Sequence, residues 1–197
     1  MKWNIEHEVD PDMLEVIYVT DFTEQSAIDF CKQIRRACTT GQTEVVVQIF
    51  SGGGCVSSLM TMVRQIQDCP IPVITAAEVR AYSCGFCLFL MGNRRIMSSD
   101  AVLLHHPFAM QISHSRWFDR NNYNAKRDIL LSEQSLLLNL AEKNCELAPG
   151  YLSEQLSGKT TERFYVASEA LEHGFATETG VIEYSTTPGG KHILSVI

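Results

Sequence analysis

The stretch "EVVVQIF" (44–50) does most to limit what this chain can fold into. β-Branched residues crowd together there with little alternation, the pattern of a strand buried on both faces. It runs straight into Ser51-Gly52-Gly53-Gly54, and from there into "VSSLMTMVRQIQ" (56–67), where Leu59, Met60, Val63 and Ile66 recur at helical spacing. A two-sided strand followed at once by an amphipathic helix is half of a βαβ unit. Such units build parallel sheets.

The same rhythm extends along the chain. "EVIYVTDF" (15–22) reads as a strand, and Asp21 and Glu24 stand three apart as a capping box for a helix to about Ala37. Its apolar stripe is Ala27, Phe30, Cys31 and Ile34. "PIPVITAAE" (70–78) is the next strand, and the apolar segment after Ser83 in "AYSCGFCLFLMG" (81–92) is a buried helix. "AVLLHHPF" (101–108) is a short strand stopped by Pro107. The longest helical pattern runs from Tyr123 to Asn144, with Ile129, Leu130, Leu136, Leu137 and Leu140 as its apolar face. Pro149-Gly150 breaks it. A segment at 158–166 and a helix around Ser168–His173 follow. The expected product is one α/β domain over residues 1–197, with a tail at about 185–197 that is loosely held or pairs as an edge strand.

Bulk properties exclude several classes. The net charge of −7 argues against a nucleic-acid backbone or an anionic membrane as partner. The nearest candidate basic patch, Arg94-Arg95, is two residues long, and the longest apolar run is too short to span a bilayer. The charged N-terminal segment does not read as a secretory signal, and seven scattered cysteines fit reduced thiols and a cytoplasmic location.

Three features carry chemistry, each with a bland alternative. The glycine triplet is either an anion cradle at a helix N-terminus or a plain tight turn. No Gly-Lys-Ser/Thr follows it, so it does not read as a phosphate loop. Ser83, between strand and helix, is either a nucleophile or an N-cap. The N–H of Cys84 after it could converge with one from the glycine turn on a carbonyl oxygen. His105 and His106 end a buried strand, where open parallel sheets place their sites. One of them is either a base for Ser83 or half of a structural pair. Cys84 and Cys87 form a C-x-x-C, but neither a thioredoxin-like context nor a second ligand pair accompanies it.

In this order, the motifs resemble the proteolytic subunit of the Clp protease family, serine peptidases with a crotonase-like fold. The family's "S-P-G-G" matches Ser51-Gly52-Gly53-Gly54, its "A-S-M-G" matches Tyr82-Ser83-Cys84-Gly85, and its "H-Q-P" matches His105-His106-Pro107. Its "D-R-F-x-S-A-x-E-A-x-x-x-G" resembles "ERFYVASEALEHG" (162–174). The resemblance covers roughly 15–180. It implies peptide-bond hydrolysis with Ser83 as nucleophile, His105 as general base and Glu162 as orienting carboxylate. Backbone N–H groups of Gly54 and Cys84 would form the oxyanion hole, with no metal or cofactor.

It also implies polypeptide substrates and a homo-oligomer of stacked rings, with the long helix at the ring-to-ring contact. An ATP-dependent unfoldase is the partner the family suggests, and the short N-terminal segment argues against its docking. Glutamate stands where the family has aspartate, with Asp119 and Asp128 as competitors, and the region 111–122 carries extra residues. Three readings stand beside peptidase. They are a catalytically silent ring subunit, a crotonase-fold enzyme acting on acyl-CoA thioesters, and a signal-peptide or phage-head peptidase relative. A Ser-Lys dyad version of the last lacks its lysine.

Overall fold

A computed structural model of the chain describes residues 16–109, 120–156, 162–186 and 192–196. Strand β1 (Val16–Val19) leads to helix α1 (Glu24–Thr39), then β2 (Val45–Ser51), α2 (Val56–Gln67) and β3 (Val73–Tyr82). The short α3 (Cys84–Phe89) is followed by β4 (Arg94–Met97) and β5 (Val102–His105). The long α4 (Arg120–Asn144) precedes α5 (Tyr151–Glu154), β6 (Arg163–Val166), α6 (Ala167–Glu172) and β7 (Glu178–Thr179). A hairpin of β8 (Ile182–Thr186) and β9 (His192–Val196) forms a separate two-stranded antiparallel sheet, which pairs the end of the chain with β8.

The main sheet has seven strands in the order β1-β2-β3-β4-β7, with β5 and β6 branching from β3. All its pairings are parallel except β5 with β6. This is the α/β arrangement of βαβ units and a long helix that the sequence implies. β3 is the hinge of the architecture. Its first half pairs with β4 through Ile74–Ala77, and its second half pairs with β5 through Arg80–Tyr82. The strand therefore leaves one neighbour for another and carries its C-terminal end, with Ser83, alongside β5.

Packing explains the local choices. Val45, Val46 and Val47 are wholly buried on both faces of the sheet, as the β-branched run requires. Helix α1 buries Ala27, Phe30, Ile34 and Ala37 against it. All six residues of α3 are buried. Each of its large apolar side chains contributes about 1.5–3 kcal/mol by leaving water. Asn144 closes the end of α4 on this core by donating to the Leu90 and Gly92 carbonyls at 2.8 and 2.9 Å. Buried Glu142 accepts from the N–H groups of Gly150 and Leu152 at 2.9 and 2.8 Å, and so fixes the turn into α5.

Three local expectations change, and one pair of residues gains a role. The capping box of α1 is Thr23 with Ser26, not Asp21 with Glu24. Asp21 instead accepts a bond from the Thr23 hydroxyl at 3.1 Å. On α2 Met60 is only half-buried, and Met62 takes its place in the core. Arg94-Arg95, too short for a basic patch, opens β4. Arg94 pairs with Glu178 at 2.8 Å, while Arg95 is buried and donates to the carbonyls of Phe175, Gly92 and Gly174. The apolar face of α4 also divides. Leu137, Leu138 and Ala141 are buried, whereas Ile129 is 59% exposed in the N-terminal half, which projects past the core, and Leu136, beside Leu137, is 48% exposed on the side turned from it.

Candidate active site

Ser83 sits where β3 passes into α3. Its backbone takes φ 57°, ψ −116°, a conformation that side-chain-bearing residues rarely adopt. Strain of this kind costs about 1–3 kcal/mol and persists only where surrounding contacts impose it. Two contacts do so here. The Ser83 N–H donates to the Leu104 carbonyl at 2.9 Å, and the Ser83 carbonyl accepts from the Cys87 N–H at 3.2 Å. The hydroxyl makes no helix-capping bond, so the N-cap reading accounts for the position of Ser83 but not for its side chain.

The glycine turn closes over this serine. A Cβ on Gly53 would lie 2.6 Å from Ser83 Cβ and 3.0 Å from its Oγ, and φ at Gly53 is +104°. Only glycine fits both the space and the backbone. The turn is held by Gly53 N–H donating to Ser51 Oγ at 3.1 Å and by Cys55 N–H donating to the Phe22 carbonyl at 2.8 Å. The Gly54 N–H is part of neither bond. The N–H of Cys84 opens α3, where no carbonyl four residues earlier is available to it. The Cys84 thiol adds a tie between the two segments by donating to the Gly54 carbonyl at 3.3 Å. Burial pushes this thiol up to about 11, so it stays protonated and serves as a donor.

His105 ends β5. Tyr82 is paired with Leu104 in the parallel register, so the next residues, Ser83 and His105, emerge side by side at the C-terminal ends of adjacent strands. Strand spacing there is about 4.8 Å. On the other side of β5, His105 is paired with Arg163 in the antiparallel register of β6. Carried one residue further, that register sets Glu162 across from His106. Glu162 is exposed and stands at the entrance of β6. Sheet topology thus brings Ser83, His105 and the start of β6 into one row, although the sequence separates them widely.

The imidazole of His105 is 2% exposed and stacks on Phe86, with ring centroids 4.9 Å apart and planes 21° from parallel. Its Nδ1 is buried and has no hydrogen-bond partner among the described residues. Burial, and secondarily the charge of His106, lower its pKa to about 4. The ring is therefore neutral at neutral pH, as a proton acceptor must be. His106 is half-buried and turned the other way, with Nδ1 2.6 Å from the Pro107 carbonyl. Of the competing carboxylates, Asp128 is engaged with Arg127 at 3.2 Å on α4, and Asp119 lies outside the described residues. Cys84 and Cys87 are both buried. Among the described residues no group of three or more His, Cys, Asp or Glu side chains is placed to hold a metal ion.

Two parts of the site were not read from sequence. Phe86, three residues after Ser83, is the surface on which His105 rests, and helical spacing from the serine could have flagged it. Phe22 anchors the glycine turn through a parallel bridge to Gly54. No local signal marks that contact, because it joins segments more than thirty residues apart.

A strand-to-helix serine under a glycine turn, with a histidine on the neighbouring parallel strand, defines a class of α/β protein with hydrolase-like architecture. The family model described as Clp protease matches residues 12–183. The chain therefore belongs to the Clp protease family, and its fold is of the ClpP, crotonase-like kind. No curated protein matches the sequence. Membership of this family generally implies polypeptide substrates and oligomeric assembly. Among the described residues no helix is long and apolar enough to cross a membrane.

Proposed function

We propose that the chain is a serine peptidase that cleaves polypeptides inside a homo-oligomer. Ser83 Oγ attacks the scissile carbonyl while His105 takes its proton and later delivers it to the leaving amine. The N–H groups of Gly54 and Cys84 receive the developing oxyanion. Glu162 orients the imidazole from the start of β6. The observation that carries this reading is the strained backbone of Ser83, pressed against Gly53 and alongside the strand end that bears His105. A serine serving only as a helix cap has no need of a positive φ. The exposed apolar side chains of α4, Ile129, Leu131 and Leu136, support a contact between copies along that helix.

A fluorophosphonate probe tests the chemistry. Labelling is expected at Ser83 and is expected to disappear in Ser83→Ala. An assembled, folded sample that takes up no label would overturn the peptidase reading. A second reading, a catalytically silent subunit, draws on one specific observation, the unpartnered Nδ1 of His105. Glu162→Gln separates the two. In a working peptidase it lowers turnover of a short fluorogenic peptide by about tenfold or more. If turnover is undiminished, Glu162 is not the orienting group.

A further inference from the structure

Cys38 lies in the last turn of α1, and Cys69 lies just beyond the end of α2. Their sulfur atoms are 3.5 Å apart, although 31 residues separate them in the chain. Both side chains are half-buried. The two helices run side by side, joined further up by Arg35 Nε donating to Gln65 Oε1 at 3.2 Å. Cys69 also lines a cleft of about 370 Å³ with Ile66, Gln67, Met91, Asn93 and Lys143, which gives a small reagent a way in. None of the motifs at the glycine turn uses either thiol. Helix α2 is 12 residues long, so its far end lies about 18 Å from that turn.

We propose that Cys38 and Cys69 form a thiol–disulfide modification site, oxidised by a small-molecule disulfide such as oxidised glutathione, that staples the C-terminal ends of α1 and α2. Cys69 attacks one sulfur of the reagent. A new S–S bond joins Cys69 to half of the reagent, and the other half leaves as a thiol. Cys38 then attacks the Cys69 sulfur, and the second half leaves as a thiol. The two protein thiols are oxidised, the reagent disulfide is reduced, and both thiol protons end on the released thiols. The sulfurs need only close from contact to bonding distance, about 2.0 Å. Burial and the hydrogen bond with Cys69 raise the Cys38 thiol to about 11. Because Cys69 lines the cleft, it is the first attacker and Cys38 the resolving partner.

The test is to incubate the folded chain at graded ratios of oxidised to reduced glutathione, block the remaining thiols and map the peptides without reduction. The expected result is a linked pair of Cys38 and Cys69 peptides and an intact mass lower by two hydrogens. The thermal midpoint should rise by roughly 5–10 °C over the reduced chain. Cys38→Ser should hold glutathione on Cys69 and give no linked pair. A measurement on the unaltered chain stands beside the variant. Phenylarsine oxide, which bridges adjacent thiols, should protect Cys38 and Cys69 together from alkylation. Glutathione on both cysteines without a linked pair, or alkylation of each independently of the arsenical, overturns the proposal.

Discussion

Two buried basic side chains sit on neighbouring parts of the same sheet and are treated in opposite ways. Arg95, on β4, is 6% exposed and has its guanidinium satisfied by three backbone carbonyls at 2.7 to 3.2 Å. His105, on β5, is 2% exposed, leaves Nδ1 without a partner and has its charged form disfavoured. A satisfied buried charge organises structure: Arg95 clamps the Gly92 turn to the Gly174–Phe175 turn. An unsatisfied buried polar group lowers stability, and in the peptidase reading it is tolerated at His105 because the imidazole serves Ser83. On this contrast β4 belongs to the scaffold and β5 to the site.

The largest effect expected from the contrast is kinetic. His105→Ala should slow fluorophosphonate labelling of Ser83 at least about a thousandfold, near 4 kcal/mol of barrier. Its denaturation midpoint should also fall, because removing a buried ring stacked on Phe86 leaves a cavity, but that loss does not account for the lost labelling of a chain still folded. A large loss of stability with labelling intact would reverse the assignment of roles.

Arg95→Met should do the opposite. Three buried carbonyls lose their donor, and urea denaturation should show a loss of about 3–4 kcal/mol. The pH profile of any remaining activity should keep its shape. If that profile shifts, Arg95 is coupled to the site and the division between β4 and β5 fails.

Acid titration comes next in size. The pKa of His105 falls from 6.5 in the unfolded chain to about 4 in the folded one. The unfolded state therefore binds the extra proton between these values. The stability due to a neutral, buried ring is fully present above pH 6.5, declines as pH falls toward 4, and is flat below. The total is about 3 kcal/mol. Stability measured against pH in the wild type and in His105→Ala should diverge over that window. Labelling of Ser83 should likewise fail on the acid side near pH 4. That limb is the one expected of Glu162→Gln; in the wild-type assembly, a limb raised toward 6.5 is the mark of Glu162 reaching Nδ1 as the proposed mechanism requires.

The smallest effect concerns the surface on which the base rests. Phe86→Leu keeps most of the volume and should cost about 1 kcal/mol of stability. It removes the aromatic face under His105, so the acid limb should move up toward 6.5 while the midpoint of unfolding changes only slightly. An unmoved limb would show that burial by the rest of the core, and not Phe86, sets the titration.

Much of this frame was open to reading from the residues. The bounds of α2 follow from Cys55-Val56 after the glycines and from the fading of apolar spacing at Gln67. The family resemblance was legible as well, and the family model matches residues 12–183. Other details were hidden. The start of α1 offers two overlapping capping patterns, and Thr23 with Ser26 prevails over Asp21 with Glu24. "RRIM" reads as a charged surface segment until the carbonyls that receive Arg95 are folded around it. The apolar spacing of α4 is continuous, but the core ends partway along it, so the same spacing means burial at Leu137 and exposure at Ile129.

By itself, then, the sequence determined what depends on near neighbours: which runs become buried strands, which become helices, and where glycine relieves a turn. Only the tertiary structure decided what depends on partners distant in the chain. It set Gly53 against Ser83, put His105 on Phe86 with its Nδ1 unpaired, carried β6 to the far side of β5, and brought two sulfurs into contact across 31 residues. The reason is physical. Periodicity and φ preference act over a few residues, whereas burial, hydrogen-bond satisfaction and pKa belong to whatever the completed fold places nearby.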